Sequence, residues 1–90
     1  MSHAKPPGRI HGRVITHDGR PVPGASIRIV DDGIVVDLQR TNDRGEFTSR
    51  LLFAGRYRIE VIANGVRGAL DDVEVILGRT TTVEVGMATA

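Results

Sequence analysis

The chain contains no cysteine and no tryptophan. Without cysteine there are no disulfides, no thiolate nucleophile and no cysteine-based zinc site. Aromatic residues make up only 3% of the sequence, namely Phe47, Phe53 and Tyr57. Sugar and single-stranded nucleic-acid platforms stack rings on exposed aromatics, so little is available to build one. No apolar run reaches the roughly 18 residues that a membrane-crossing helix requires. The opening residues, MSHAKPPGR, lack the apolar stretch of a secretory signal peptide. The compartment stays open on this reading: the cytoplasm, export by another route, or a domain of a larger, exported protein. Charge of one sign is lacking as well. The formal net charge of +1 is too small to draw in nucleic acid or to hold an anionic membrane. The basic residues are eleven arginines and a single lysine, Lys5.

What is present is alternation. Ninety residues, 40% hydrophobic and 26% charged, suit one domain with one modest core. Residues 1–8 are polar with Pro6-Pro7 and read as a flexible tail. Residues 9–87 read as the domain, and 88–90 as a short C-terminal tail. In IHGRVITH, Ile10, Gly12 and Val14 share one face. ASIRIV turns Ala25, Ile27 and Ile29 inward, and GEFTSRLL turns Phe47 and Leu51 inward. RYRIEVIA does the same with Tyr57, Ile59, Val61 and Ala63. DDVEVIL offers Val73, Val75 and Leu77, and TTTVEVGM offers Val83, Val85 and Met87. IVVDLQRT is a less regular seventh member of this set. Period-two patterning with β-branched residues predicts strands buried on one face. Turn signals separate them at Asp18-Gly19, Asp32-Gly33, NDRG at 42–45, Asn64-Gly65 and LGRT at 77–80. Seven short strands so spaced predict an all-β sandwich.

His17 and Asp18 stand side by side before Arg20, in HDGRPVPGASI. A catalytic base needs a substrate or nucleophile within hydrogen-bond reach and a third group to orient it. Adjacent residues at a strand end point in different directions. Pro21 and Pro23 cannot donate to a ladder. The stretch is therefore expected to be a corner between two sheets, held outside the ladder, with no catalytic role.

GRVITHDGRPVPGASIRIV, TNDRGEFTSRLLFAGRYRIEVIANG and VEVILGRTTTVEV together resemble the carboxypeptidase regulatory-like family over about residues 8–87. The matching positions are Gly12-x-Val14, an Asp-Gly-x-Pro-x-x-Gly-Ala corner, Thr41-Asn42-x-x-Gly45-x-Phe47, and Gly55-x-Tyr57-x-Ile59-x-Val61. The first corner is one residue shorter than the family pattern. The resemblance implies a transthyretin-like, seven-stranded Greek-key sandwich. One sheet would hold strands one, four and seven, and the other strands two, three, five and six. It also implies a non-catalytic module attached to peptidases, surface proteins, outer-membrane receptors or secretion machinery. Three relatives with chemistry fit poorly. Urate-pathway hydrolases end in Tyr-Arg-Gly-Ser, against GMATA here, and His11 and His17 miss their spacing. Ring-cleaving dioxygenases bind iron with two tyrosines, against Tyr57 alone. Isopeptide-forming domains need a first-strand lysine and a last-strand Asn or Asp, whereas Lys5 lies in the tail.

No cofactor, metal or catalytic residue is therefore expected. His11 and His17 are six residues apart, about 20 Å along a strand, too far for one ion. The acidic pairs Asp31-Asp32 and Asp71-Asp72 would hold calcium only if their loops converged, and no EF-hand pattern is present. Outward Arg13, Arg28, Arg50 and Arg58 are expected to pair across strands with Glu46, Glu60, Glu74 and Glu84. The expected interaction site is an edge: Thr80, Thr82, Val83, Glu84 and Val85, with no proline and one charge. In transthyretin an eighth strand covers this position. The expected occupant is a protein partner, the parent chain, or a second copy in a homodimer. Phe53 is the candidate loop contact for the alternative, a peptide- or carbohydrate-binding module.

Overall fold

Two dipeptide turns organise the larger sheet of the structure, a computed structural model that describes residues 7–87. The expectations for residues 1–6 and 88–90 lie outside the described residues. Strands β2 (Ser26–Asp31) and β3 (Ile34–Arg40) are joined by Asp32-Gly33, with φ of 49° and 81°. Strands β5 (Gly55–Ala63) and β6 (Val66–Val75) are joined by Asn64-Gly65, with φ of 52° and 76°. Both residues of each pair are left-handed, the type I′ geometry that matches the twist of a hairpin. The two hairpins dock as a four-stranded sheet in the order β3-β2-β5-β6. The second sheet has β1 (Arg9–Thr16) at its centre, in the order β4-β1-β7, with β4 at Glu46–Thr48 and β7 at Thr80–Met87. The described residues form no helix, and the fold is the all-β Greek-key sandwich of seven strands.

The core lies between the sheets. Ile10, Val14, Ile27, Ile29, Ile59 and Val61 are wholly buried, with Phe47, Tyr57, Val73, Val75, Val85 and Met87 around them. These are the positions that alternation selects. Gly12 also faces inward, and the Phe47 ring takes the place of its missing side chain. A methyl group there would lie 2.2 Å from Phe47 Cζ. Gly45 combines a φ of 74° with backbone packing so close that a methyl would sit 2.6 Å from the Val14 carbonyl.

Three expectations need correction. Leu51 does not point inward; it is 50% exposed, and Leu52 is buried instead. The alternation breaks because Ser49 substitutes a side chain for a ladder partner. The Ile10 amide donates to Ser49 Oγ at 2.8 Å, and that hydroxyl donates to the Arg50 carbonyl at 2.7 Å. The chain rejoins the sheet one residue late, through the bridge between Leu52 and Gly8. The sixth strand begins at Val66, five residues before DDVEVIL, and ends before Leu77. Its first half escapes a period-two reading because Asp71 and Asp72 form a bulge opposite Arg58, with Asp72 at φ 57°. The corner, expected to lie clear of the ladder, instead runs along β1. Pro21 bridges Ile15, and the Val22 amide donates to the Val14 carbonyl at 2.9 Å. Buried Thr41 fastens this corner, accepting from the Ala25 amide at 2.8 Å and donating to the Val22 carbonyl at 2.7 Å.

Candidate functional site

His17 and Asp18 both lie exposed on the turn after β1. The Thr16 hydroxyl donates to the Asp18 carboxylate, and this bond holds the carboxyl below its ordinary range. Arg20 Nε lies 3.6 Å from the same carboxylate. Asp18 thus closes its own turn and does not orient His17. His11 is elsewhere, on the outer face of the three-stranded sheet, with Nδ1 2.9 Å from Thr48 Oγ1.

Asp32, Asp71 and Asp72 line one open groove of about 470 Å³ on the outer face of the four-stranded sheet, without gathering into one cluster. Arg28, Arg56 and Arg58 line the same groove. Arg58 donates to Asp71 Oδ1 at 2.7 Å and to Glu60 Oε2 at 3.1 Å, so a guanidinium already occupies the acidic side. Among the described residues, no three His, Asp or Glu side chains are grouped to hold a metal ion. The cross-strand Arg–Glu pairing expected is not what the structure shows: Arg58 meets Glu60 on its own strand β5, and its partner across the sheet is Asp71 of β6. Arg13, Arg28 and Arg50 have no acidic partner within 4.0 Å among the described residues.

The sheet edges differ in how open they are. Among the described residues strand β3 pairs only with β2, but its edge is obstructed. The register shifts after Ile29, leaving Val36 unpaired. The Asp37 carboxylate accepts from the amides of Leu38 at 2.9 Å and Arg50 at 2.8 Å. That side chain occupies the Leu38 amide, a β3 donor an incoming strand would need, and ties the segment at Arg50 to the same strand. Strand β4 is three residues long. On β6 the outer Glu74 carbonyl is taken by the Thr81 hydroxyl at 2.7 Å.

Strand β7 carries none of these devices. It is eight residues long and, among the described residues, pairs only with β1, without a register break from Arg9↔Thr80 to Thr16↔Met87. The Arg9 amide donates to the Arg79 carbonyl, while the amides of Gly8 and Val14 turn to the β4 side. Backbone groups alternate along a strand. Odd-numbered residues of β7 therefore face β1, and Thr80, Thr82, Glu84 and Gly86 face the open edge. Of the five residues singled out from sequence, Thr80, Thr82 and Glu84 are exposed. Val83 is half-buried and Val85 is 1% exposed, so both serve the core. Gly86 was missed. The parity of TTTVEVGM contains it, but a residue without a side chain leaves no mark in a hydrophobic pattern.

Phe53 is 87% exposed, beside half-exposed Leu51. Its backbone is nonetheless fixed: the Tyr57 hydroxyl donates to the Phe53 carbonyl at 2.6 Å.

Comparison with known proteins agrees with this architecture. The family model described as the carboxypeptidase regulatory-like domain matches residues 9–88. Among solved structures, the chain is similar to the Bacillus anthracis TIE protein, with a TM-score of 0.73 and 19% identity. That match covers 94% of this chain and 17% of the other. It is also similar to GBS52, the minor pilin of Streptococcus agalactiae, with a TM-score of 0.68 and 18% identity, over 96% of this chain and 46% of that one. At such identity the likeness is one of fold. In both cases this chain spans less than half of its relative's length. No curated protein matches the sequence significantly.

Proposed function

The chain belongs to the carboxypeptidase regulatory-like domain family, and on that premise we propose that it is a non-catalytic structural module of a larger protein, pairing with a protein partner through the free edge of β7. The observation that carries this reading is the contrast between edges. Among the described residues no strand faces the backbone groups of Thr80, Thr82, Glu84 and Gly86, on a strand without a register break. The β3 edge is obstructed by Asp37 and by a bulge. Strand addition uses those backbone groups for affinity and flanking side chains for selection. A second copy is the simplest occupant. Antiparallel pairing of two β7 strands about Val83 sets Thr82 of each copy opposite Glu84 of the other, so no like charges face each other.

Thr82→Pro tests the reading. Its nitrogen faces the open edge, so proline there removes no bond to β1 and obstructs the incoming strand. Sedimentation of the native chain at rising concentration is expected to show dimers, and the variant is expected to stay monomeric with a similar melting temperature. A native chain that stays monomeric at every concentration removes self-pairing. Equal association of both proteins removes the β7 edge.

The exposed Phe53 favours a second reading, a module that binds peptide or carbohydrate through its loops. Loss of ligand binding on Phe53→Ala, with Thr82→Pro unaffected, would select it.

A further inference from the structure

Strands β1 and β7 pair in parallel, in register along their whole length. Every other strand pairing among the described residues is antiparallel. The parallel arrangement fixes where the polypeptide enters and leaves. Arg9 and Thr80 lie at one end of the ladder, and Thr16 and Met87 at the other. A chain arriving at β1 therefore meets the domain at the Arg9 end, and a chain continuing from β7 departs from the Met87 end. Tension between the two pulls β1 towards its own start and β7 towards its own finish. The strands are driven past one another, and the bonds between them are loaded together. Were the two ends adjacent, the same tension would open the bonds one at a time, like a zip.

The entry point is reinforced. Before β1 begins, Gly8 exchanges two backbone bonds with Leu52, at 3.0 and 2.7 Å. The Arg9 amide donates to the Arg79 carbonyl at 3.1 Å, and the Ile10 amide to Ser49 Oγ at 2.8 Å. Beneath this ladder lie Ile10, Val14 and Val85, each at most 1% exposed, so sliding the strands also exposes apolar core. The neighbours of similar fold are longer chains of which this domain spans only a part.

We infer that the β1–β7 pair is a mechanical clamp, and that the domain is a load-bearing link in a chain under tension. The inference rests on the module reading above. Resistance to force is governed by the barrier to unfolding, and that barrier depends on the direction in which the barrier is approached.

Single-molecule pulling through introduced cysteines tests this, because the chain has none of its own. Arg9→Cys with Gly86→Cys loads the clamp lengthwise. Arg9→Cys with Thr80→Cys, register partners at one end, peels it open. All three positions are exposed, and a methyl at Gly86 meets nothing within 4 Å. Glu84→Cys replaces Gly86→Cys if that variant melts early. At one loading rate, the lengthwise pair is expected to unfold at roughly twofold or higher force, since several bonds must fail together. Equal or lower force along the ladder overturns the clamp. That result leaves the module reading standing, because strand addition at the β7 edge does not depend on pulling direction; the module reading falls instead with Thr82→Pro.

Discussion

The hydroxyl of Tyr57 donates to the carbonyl of Phe53 at 2.6 Å, tying a buried ring to the backbone beneath the most exposed one. The ring fills the core from β5, and its polar tip closes the loop that re-enters the sheet. The two roles separate by substitution. Tyr57→Phe keeps the ring and is expected to lower stability by about 1 kcal/mol, the net value of one hydrogen bond. Tyr57→Ala also leaves a cavity and is expected to cost about 3–5 kcal/mol. Chemical denaturation of both variants checks this. A truncation as mild as the Phe variant would place the ring outside the core.

The same side chain sets an alkaline limit. Burial raises the Tyr57 phenol above its ordinary value of 10.0. The folded state thus holds its proton more tightly than the unfolded chain does. The stability this contributes is present below pH 10 and is lost as pH rises through the folded value. Native protein is expected to lose stability above about pH 10 more steeply than Tyr57→Phe. Parallel pH profiles for the two would show that Tyr57 does not titrate differently on unfolding.

Gly12 and Phe47 form one packing unit. Gly12→Ala forces a methyl against the Phe47 ring, at 2.2 Å from Cζ. The expected cost is about 1–3 kcal/mol, as for other overpacked cores. Phe47→Leu destabilises on its own by leaving space. The double variant is expected to be more stable than the sum of the single effects predicts, because the methyl enters that space. Additive losses would mean that the two sites are independent.

Thr41→Val removes a buried hydroxyl of nearly the same shape. The Ala25 amide and the Val22 carbonyl both lose their partner. A loss of about 1–3 kcal/mol is expected, the cost of leaving buried groups unpaired. A change under half of that lower bound, read by thermal melting, would mean water enters the corner.

Much of this architecture was legible in the residues themselves. The alternation in RYRIEVIA and ASIRIV names core positions that the structure buries. Asp32-Gly33 and Asn64-Gly65 name the two tight hairpins. What could not be read is where one interaction replaces another. Ser49 Oγ takes the place of a ladder carbonyl and shifts Leu51 out and Leu52 in. Asp71 and Asp72 share one opposing residue, so β6 loses its period. The candidate edge was legible as a strand, because TTTVEVGM alternates cleanly. Its contacts were legible only in part, because the backbone direction at each residue depends on which partner β7 has. Once β1 is known to be that partner, the open groups follow by parity, Gly86 among them.

Amide hydrogen exchange along β7 tests the central claim most directly. In dilute solution the amides of Thr82, Glu84 and Gly86 are expected to exchange fast, and those of Thr81, Val83 and Val85 slowly. In concentrated solution, or within the intact parent protein, the fast set is expected to become protected while the slow set changes little. Fast exchange at Thr82, Glu84 and Gly86 under both of those conditions would contradict pairing through this edge.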